Sequence, residues 1–142
     1  MRLPAAELRA LVRAHAYLQT QTPPELWHLE THSLEVFVRA LGEMIAAALV
    51  RNGNDLGALT LGIANVHVVP EAADPLPIGD LVAVSIAGGG EWTDSRWAPG
   101  DTRFVSPDLP ASLDAAGAVH AYSRRLGVDS GSVTALYSRV PE

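Results

Sequence analysis

Residues 81–97, LVAVSIAGGGEWTDSRW, decide how this chain is read. Leu81 to Ala87 are apolar at both alternating sets of positions, the pattern of a strand covered on two sides rather than wet on one. Such a strand belongs in the middle of a sheet. Gly88, Gly89 and Gly90 accept positive φ because no Cβ clashes. They are expected to reverse the chain, so that Glu91 to Trp97 returns antiparallel with Ile86 opposite Trp92 and Leu81 opposite Trp97.

Outward from this hairpin, 58–69 (ALTLGIANVHVV) has the length and β-branched content of a strand. Leu59, Leu61 and Ile63 lie on one side, Val66 and Val68 on the other. A bulge near Asn65 accounts for the switch, and so does burial on both faces. Pro70, Pro75 and Pro77 with Glu71 and Asp74 mark a polar connection. Beyond the hairpin, 98–110 is proline-rich and irregular, with a short edge strand at 102–105 and a helical turn within 108–116. Strands at 118–126 and 132–140, joined through Gly127 and Gly131, set Tyr122 opposite Leu136 and Ala121 opposite Tyr137.

In the N-terminal part, Pro4 suits a first helical turn, and Leu8, Leu11, Val12, His15 and Leu18 recur at three- and four-residue spacing. His15, on that stripe, is read as satisfied by a neighbouring carbonyl. Thr22-Pro23-Pro24-Glu25 has the form of a capping box, so a second helix is expected from there, interrupted near 31–33, to Arg51 before Asn52-Gly53. Phe37, Val38, Leu41, Met44, Ile45, Ala48 and Leu49 form its apolar face, with Glu35, Arg39 and Glu43 opposite. The expected fold is α+β: two N-terminal helices packed on one face of an antiparallel meander sheet of four to six strands. It occupies 1–142 as a single domain.

With 142 residues the chain can bury one real core. The net charge of −6 argues against a general phosphate-backbone binder. All ten basic side chains are Arg, which removes Schiff-base and phosphate-loop lysines from any mechanism. The lack of Cys removes disulfides, thiolate nucleophiles and cysteine-ligated zinc. Glu7, Arg9 and Arg13 interrupt the place a signal peptide's apolar core would take, and Val36 to Val50 is charged and too short to span a bilayer. The expected setting is the cytoplasm, without membrane, nucleic acid or cofactor.

Three constellations could carry chemistry. His28, His32 and Glu35, spaced i, i+4, i+7, would share one face of a continuous helix and could hold zinc, although HLETH is not the HExxH arrangement. His67 and His120, with Asp80 or Arg124 nearby, could form an acid–base pocket. Trp92, Trp97 and Tyr137 could form an aromatic contact surface. Ser85 lacks a nucleophile elbow, and Gly88 to Gly90 lack the helix of a phosphate cradle. The leading expectation is a non-enzymatic binding or assembly protein that self-associates or serves a protein partner, through the edge of its C-terminal strand. The alternative is a small enzyme or ligand-binding protein using the histidines.

Overall fold

In chain order the elements are β1 (Arg2–Leu3), α1 (Ala5–Ala14), β2 (Gln19–Gln21), β3 (His28–Glu30), α2 (Leu34–Arg51), β4 (Thr60–Val68), β5 (Gly79–Ala87), α3 (Ser112–Ala116), β6 (His120–Gly127) and β7 (Ser130–Val140). The computed structural model describes residues 1–51, 57, 59–68, 79–88, 112–127 and 130–141, with backbone alone at 51, 122–127, 130 and 131. The sheet runs β1-β3-β7-β5-β4-β2, with β6 on β7 beside β3, and curls into a half-barrel.

The class is α+β, but the sheet is mixed: β2 lies parallel to β4, and every other pairing is antiparallel. The expected antiparallel meander with two N-terminal helices is therefore replaced, among the described residues, by a sheet with crossovers and three helices. Thr22 to Ser33 is where the reading went astray. A residue before proline is pushed to extended backbone, so Thr22 and Pro23 resist a helix, and Arg9 then holds the segment by donating to Thr22 Oγ1, Pro23 O and Pro24 O. The chain continues extended into β3, between β1 and β7. α2 starts at a different cap, Ser33, whose Oγ accepts the Val36 N–H at 3.1 Å.

β5 is the central strand that Leu81 to Ala87 announced, buried on both faces. Its two edges are taken by β4, from Thr60↔Ala87 to Val68↔Gly79, and by β7, from Leu81↔Ser138 to Ala87↔Ser132. The return strand expected at 91–97 falls within residues 89–111, which lie outside the described ones. The β4 register is unbroken through Asn65, so burial on both faces, not a bulge, explains the change of apolar side. The β6–β7 pairing is two residues away from the expected one, with His120 opposite Leu136 and Tyr122 opposite Thr134. A two-residue slip leaves each side chain on its face.

One sheet face carries Leu61, Ile63, Val82, Val84, Ile86, Val133, Ala135 and Tyr137, in one core with Leu8 and Val12 of α1, Phe37, Leu41 and Met44 of α2, and Leu113 of α3. Tyr137 and Phe37 meet with ring centroids 5.1 Å apart. The other face is buried as well and partly polar: Ala64, Val68, Leu81, Ala83, Ala87 and Leu136 with Ser85 and Thr134, whose hydroxyls are 3.1 Å apart. β7 pairs on both sides, with β5 on one and β6 and β3 on the other, so its edge is not open to a second copy. Among the described residues no helix is long and apolar enough to cross a membrane.

Candidate functional site

Directly opposed residues of antiparallel strands point to the same face. Along the helix-covered face this stacks cross-strand rows: Leu61–Ile86–Val133, then Ile63–Val84–Ala135, then Asn65–Val82–Tyr137. The next row is polar. His67 opposes Asp80, and continuing the β5–β7 register by one residue sets Asp80 beside Arg139. The side chains follow this placement. His67 Nδ1 lies 2.5 Å from Asp80 Oδ1, and Arg139 Nη1 donates to Asp80 Oδ2 at 3.0 Å. The guanidinium also sits 4.1 Å from the Trp27 ring centroid, a cation–π contact.

Hydrogen bonds from His67 and from Arg139 hold the Asp80 carboxyl below the usual carboxylate range. With Asp80 ionised, His67 donates through Nδ1, which leaves Nε2 as the ring nitrogen turned away from the pair. The imidazole is 65% exposed, while Asp80 and Arg139 are each about a third exposed. An oriented, solvent-facing imidazole of this kind has the geometry of a proton acceptor and donor.

Asn65, two residues before His67 and on the same face, connects this row to a cavity. Its Oδ1 accepts the Trp27 N–H at 3.2 Å, and its Nδ2 donates to Glu25 O. The cavity, about 740 Å³, is lined by Thr20, Gln21, Thr22, Pro23 and Pro24 on one wall and Ile63, Ala64 and Asn65 on the other. Among the described residues no charged side chain belongs to that lining.

The sequence brought together one true pair, His67 and Asp80. His120 does not join them: it opposes Leu136, on the other sheet face, half-buried, and burial lowers the pKa of its imidazole. The side chain of Arg124 is outside the described ones. The helical metal face is corrected outright, because its three residues lie in different elements. His28 is in β3, where its Nδ1 accepts the Ala5 N–H at 2.8 Å and so caps α1. His32 precedes α2, its Nδ1 3.0 Å from Ala115 O. Glu35 is exposed in α2, 3.8 Å from Arg39. The i, i+4, i+7 spacing required a continuous helix, and β3 replaces its first half. Among the described residues no group of three or more His, Cys, Asp or Glu gathers as metal ligands.

Of the aromatic surface, Trp92 and Trp97 lie outside the described residues. Tyr137 is corrected from contact residue to core residue: it is 1% exposed, and burial pushes its phenol above the ordinary value. His15 accords with its reading, Nδ1 lying 2.8 Å from Leu11 O. Sequence reasoning missed Trp27, Asn65 and Arg139 as a group. A signal existed for Arg139, two residues from the inward Tyr137 and therefore on its face, but none for Trp27, whose segment was read as helix. One face residue of α2 is also displaced: Val38, expected inside, is 40% exposed, one turn from Leu34 at 37%. No protein-family model and no curated protein matches this chain.

Proposed function

We propose that this protein is a non-enzymatic binding or assembly protein that acts through protein–protein contacts, as a single domain in the cytoplasm. It self-associates through the flank of α2 that carries Leu34 and Val38. The observation behind this reading is that pair: two large apolar side chains one turn apart, exposed on a helix whose other face is fully packed. Contiguous exposed apolar side chains are one mark of a contact surface. The net charge of −6 points to protein rather than nucleic acid as the partner. Sedimentation velocity at micromolar concentration tests it. The expected species is larger than the 15.0 kDa monomer and falls to monomer on Val38→Glu with the circular dichroism unchanged. A monomer across the micromolar range would contradict it.

A second reading, a small enzyme or ligand-binding protein, rests on the contact between His67 Nδ1 and Asp80 Oδ1. In that reading His67 Nε2 takes a proton from water or substrate. Hydrolysis of p-nitrophenyl acetate is the simplest probe. A rate above background that His67→Gln abolishes would favour this reading, and equal rates for the two proteins would remove it.

A further inference from the structure

β4 is treated differently on its two sides. Against β5 it pairs over its whole length, Thr60 to Val68, while against β2 it pairs only at Gln19↔Thr60, Thr20↔Leu61 and Gln21↔Gly62. Continuing that parallel register would set Thr22, Pro23 and Pro24 against Ile63, Ala64 and Asn65. These six residues, with Thr20 and Gln21, line the cavity. The prolines explain the gap: neither has an N–H to give to β4, so the ladder ends where they begin. The carbonyls of Pro23 and Pro24 are engaged by Arg9, each at 2.8 Å. Asn65 fixes the following turn of chain through Glu25 and Trp27. The wall that has peeled away is therefore held at several points, and the space beside the β4 edge is built into the fold.

We infer that this cavity receives an extended, uncharged peptide segment of a protein partner, which adds to β4 as a strand at Ile63 to Asn65. The inference rests on the reading that the protein works through protein contacts, and it names the partner's chemistry. A strand edge supplies backbone donors and acceptors in the spacing that an extended peptide, and few other ligands, can match residue by residue. A volume of about 740 Å³ lies in the range of ligand sites. The hydroxyl of Thr20 and the amide of Gln21 suit small or amide side chains, and the nearby Arg9 guanidinium is already engaged by Thr22, Pro23 and Pro24. Residues Gln19 to Gln21 are exposed, so the entrance is accessible.

The test uses the full chain and a display library of random short peptides as the probe. Enriched peptides, made synthetically, are expected to be poor in charge and to shift the amide resonances of Gln21 and Ile63 to Asn65. Gln21→Trp, at an exposed edge position, is expected to fill the entrance and weaken binding by about tenfold or more, as is N-methylation of alternate peptide nitrogens. Failure to enrich any peptide over the Gln21→Trp protein would overturn the inference, as would shifts centred elsewhere or binding indifferent to N-methylation. Sedimentation of the same proteins separates the two readings. Failed enrichment with self-association intact removes only the groove, whereas loss of both removes the wider reading as well.

Discussion

Two rows on one sheet face, built by the same three strands, end up with opposite chemistry. Leu61, Ile86 and Val133 lie under the helices at no more than 1% exposure, and three rows along, His67, Asp80 and Arg139 meet solvent and hold one another by hydrogen bonds. The difference is cover. The inner rows share one core with Phe37, Leu41 and Met44 of α2, whereas the last row has Trp27 beside Arg139, and Trp27 stays in place through Asn65. An apolar row gains from leaving water, roughly in proportion to its area. An exposed charged row gains little, because solvent screens it. The inner row should therefore carry the fold, and the outer row is available for other work.

The sharpest way to break this comparison is to truncate each row. Phe37→Ala, beneath the inner rows, is expected to cost about 3–5 kcal/mol, and Ile86→Ala about 2–5 kcal/mol, in urea denaturation. Asp80→Asn should shift the midpoint far less than either, and a cost equal to that of Ile86→Ala would make the polar row part of the core. On the opposite face, Ser85→Ala leaves Thr134 with a buried hydroxyl and is expected to cost about 1–3 kcal/mol, whereas the double change Ser85→Ala, Thr134→Val should recover most of it. Gly117→Ala should cost about 1–2 kcal/mol in the same assay. Its φ is +96°, and a Cβ there would come within 3.0 Å of the His32 ring and 3.1 Å of the His32 nitrogen.

Acid gives the smallest but most selective effects. The folded Asp80 carboxyl is held below its ordinary 3.8, so it contributes stability above that pH and loses the contribution as pH falls through the lowered value. The midpoint gap between wild type and Asp80→Asn should close over that acid range, and a constant gap would contradict the pairing. His120 is depressed by burial alone, so the folded state disfavours its charge. Stability tied to it is present above its ordinary 6.5 and is lost as pH falls below it, a slope that His120→Leu should flatten.

What could be read from residues alone followed local physics. The doubly apolar run at 81–87 was legible as a central strand, the stripe of Leu8 and Val12 as a buried helix face, and His67 with Asp80 as neighbours in chemistry if not in spacing. Thr22 to Ser33 was not legible, because a capping-box pattern competed with the extended bias that proline imposes, and distant partners, Arg9 and Asn65, decided between them. The metal face failed with it, since its first histidine went into β3. The parallel β2–β4 pairing joins segments nearly forty residues apart in sequence. No local pattern encodes such a contact.

The contrast between the closed and open parts of β4 is most directly tested by native-state amide exchange along Thr60 to Val68. Amides directed at β5 should be protected along the whole strand. Those directed at β2 belong to alternate residues, so Leu61 and Ile63, which fall within the three-residue ladder, should be protected, while Asn65 should exchange far faster until a bound peptide slows it. Uniform protection on both sides in the unliganded protein would mean that the edge is already closed, and would contradict the account.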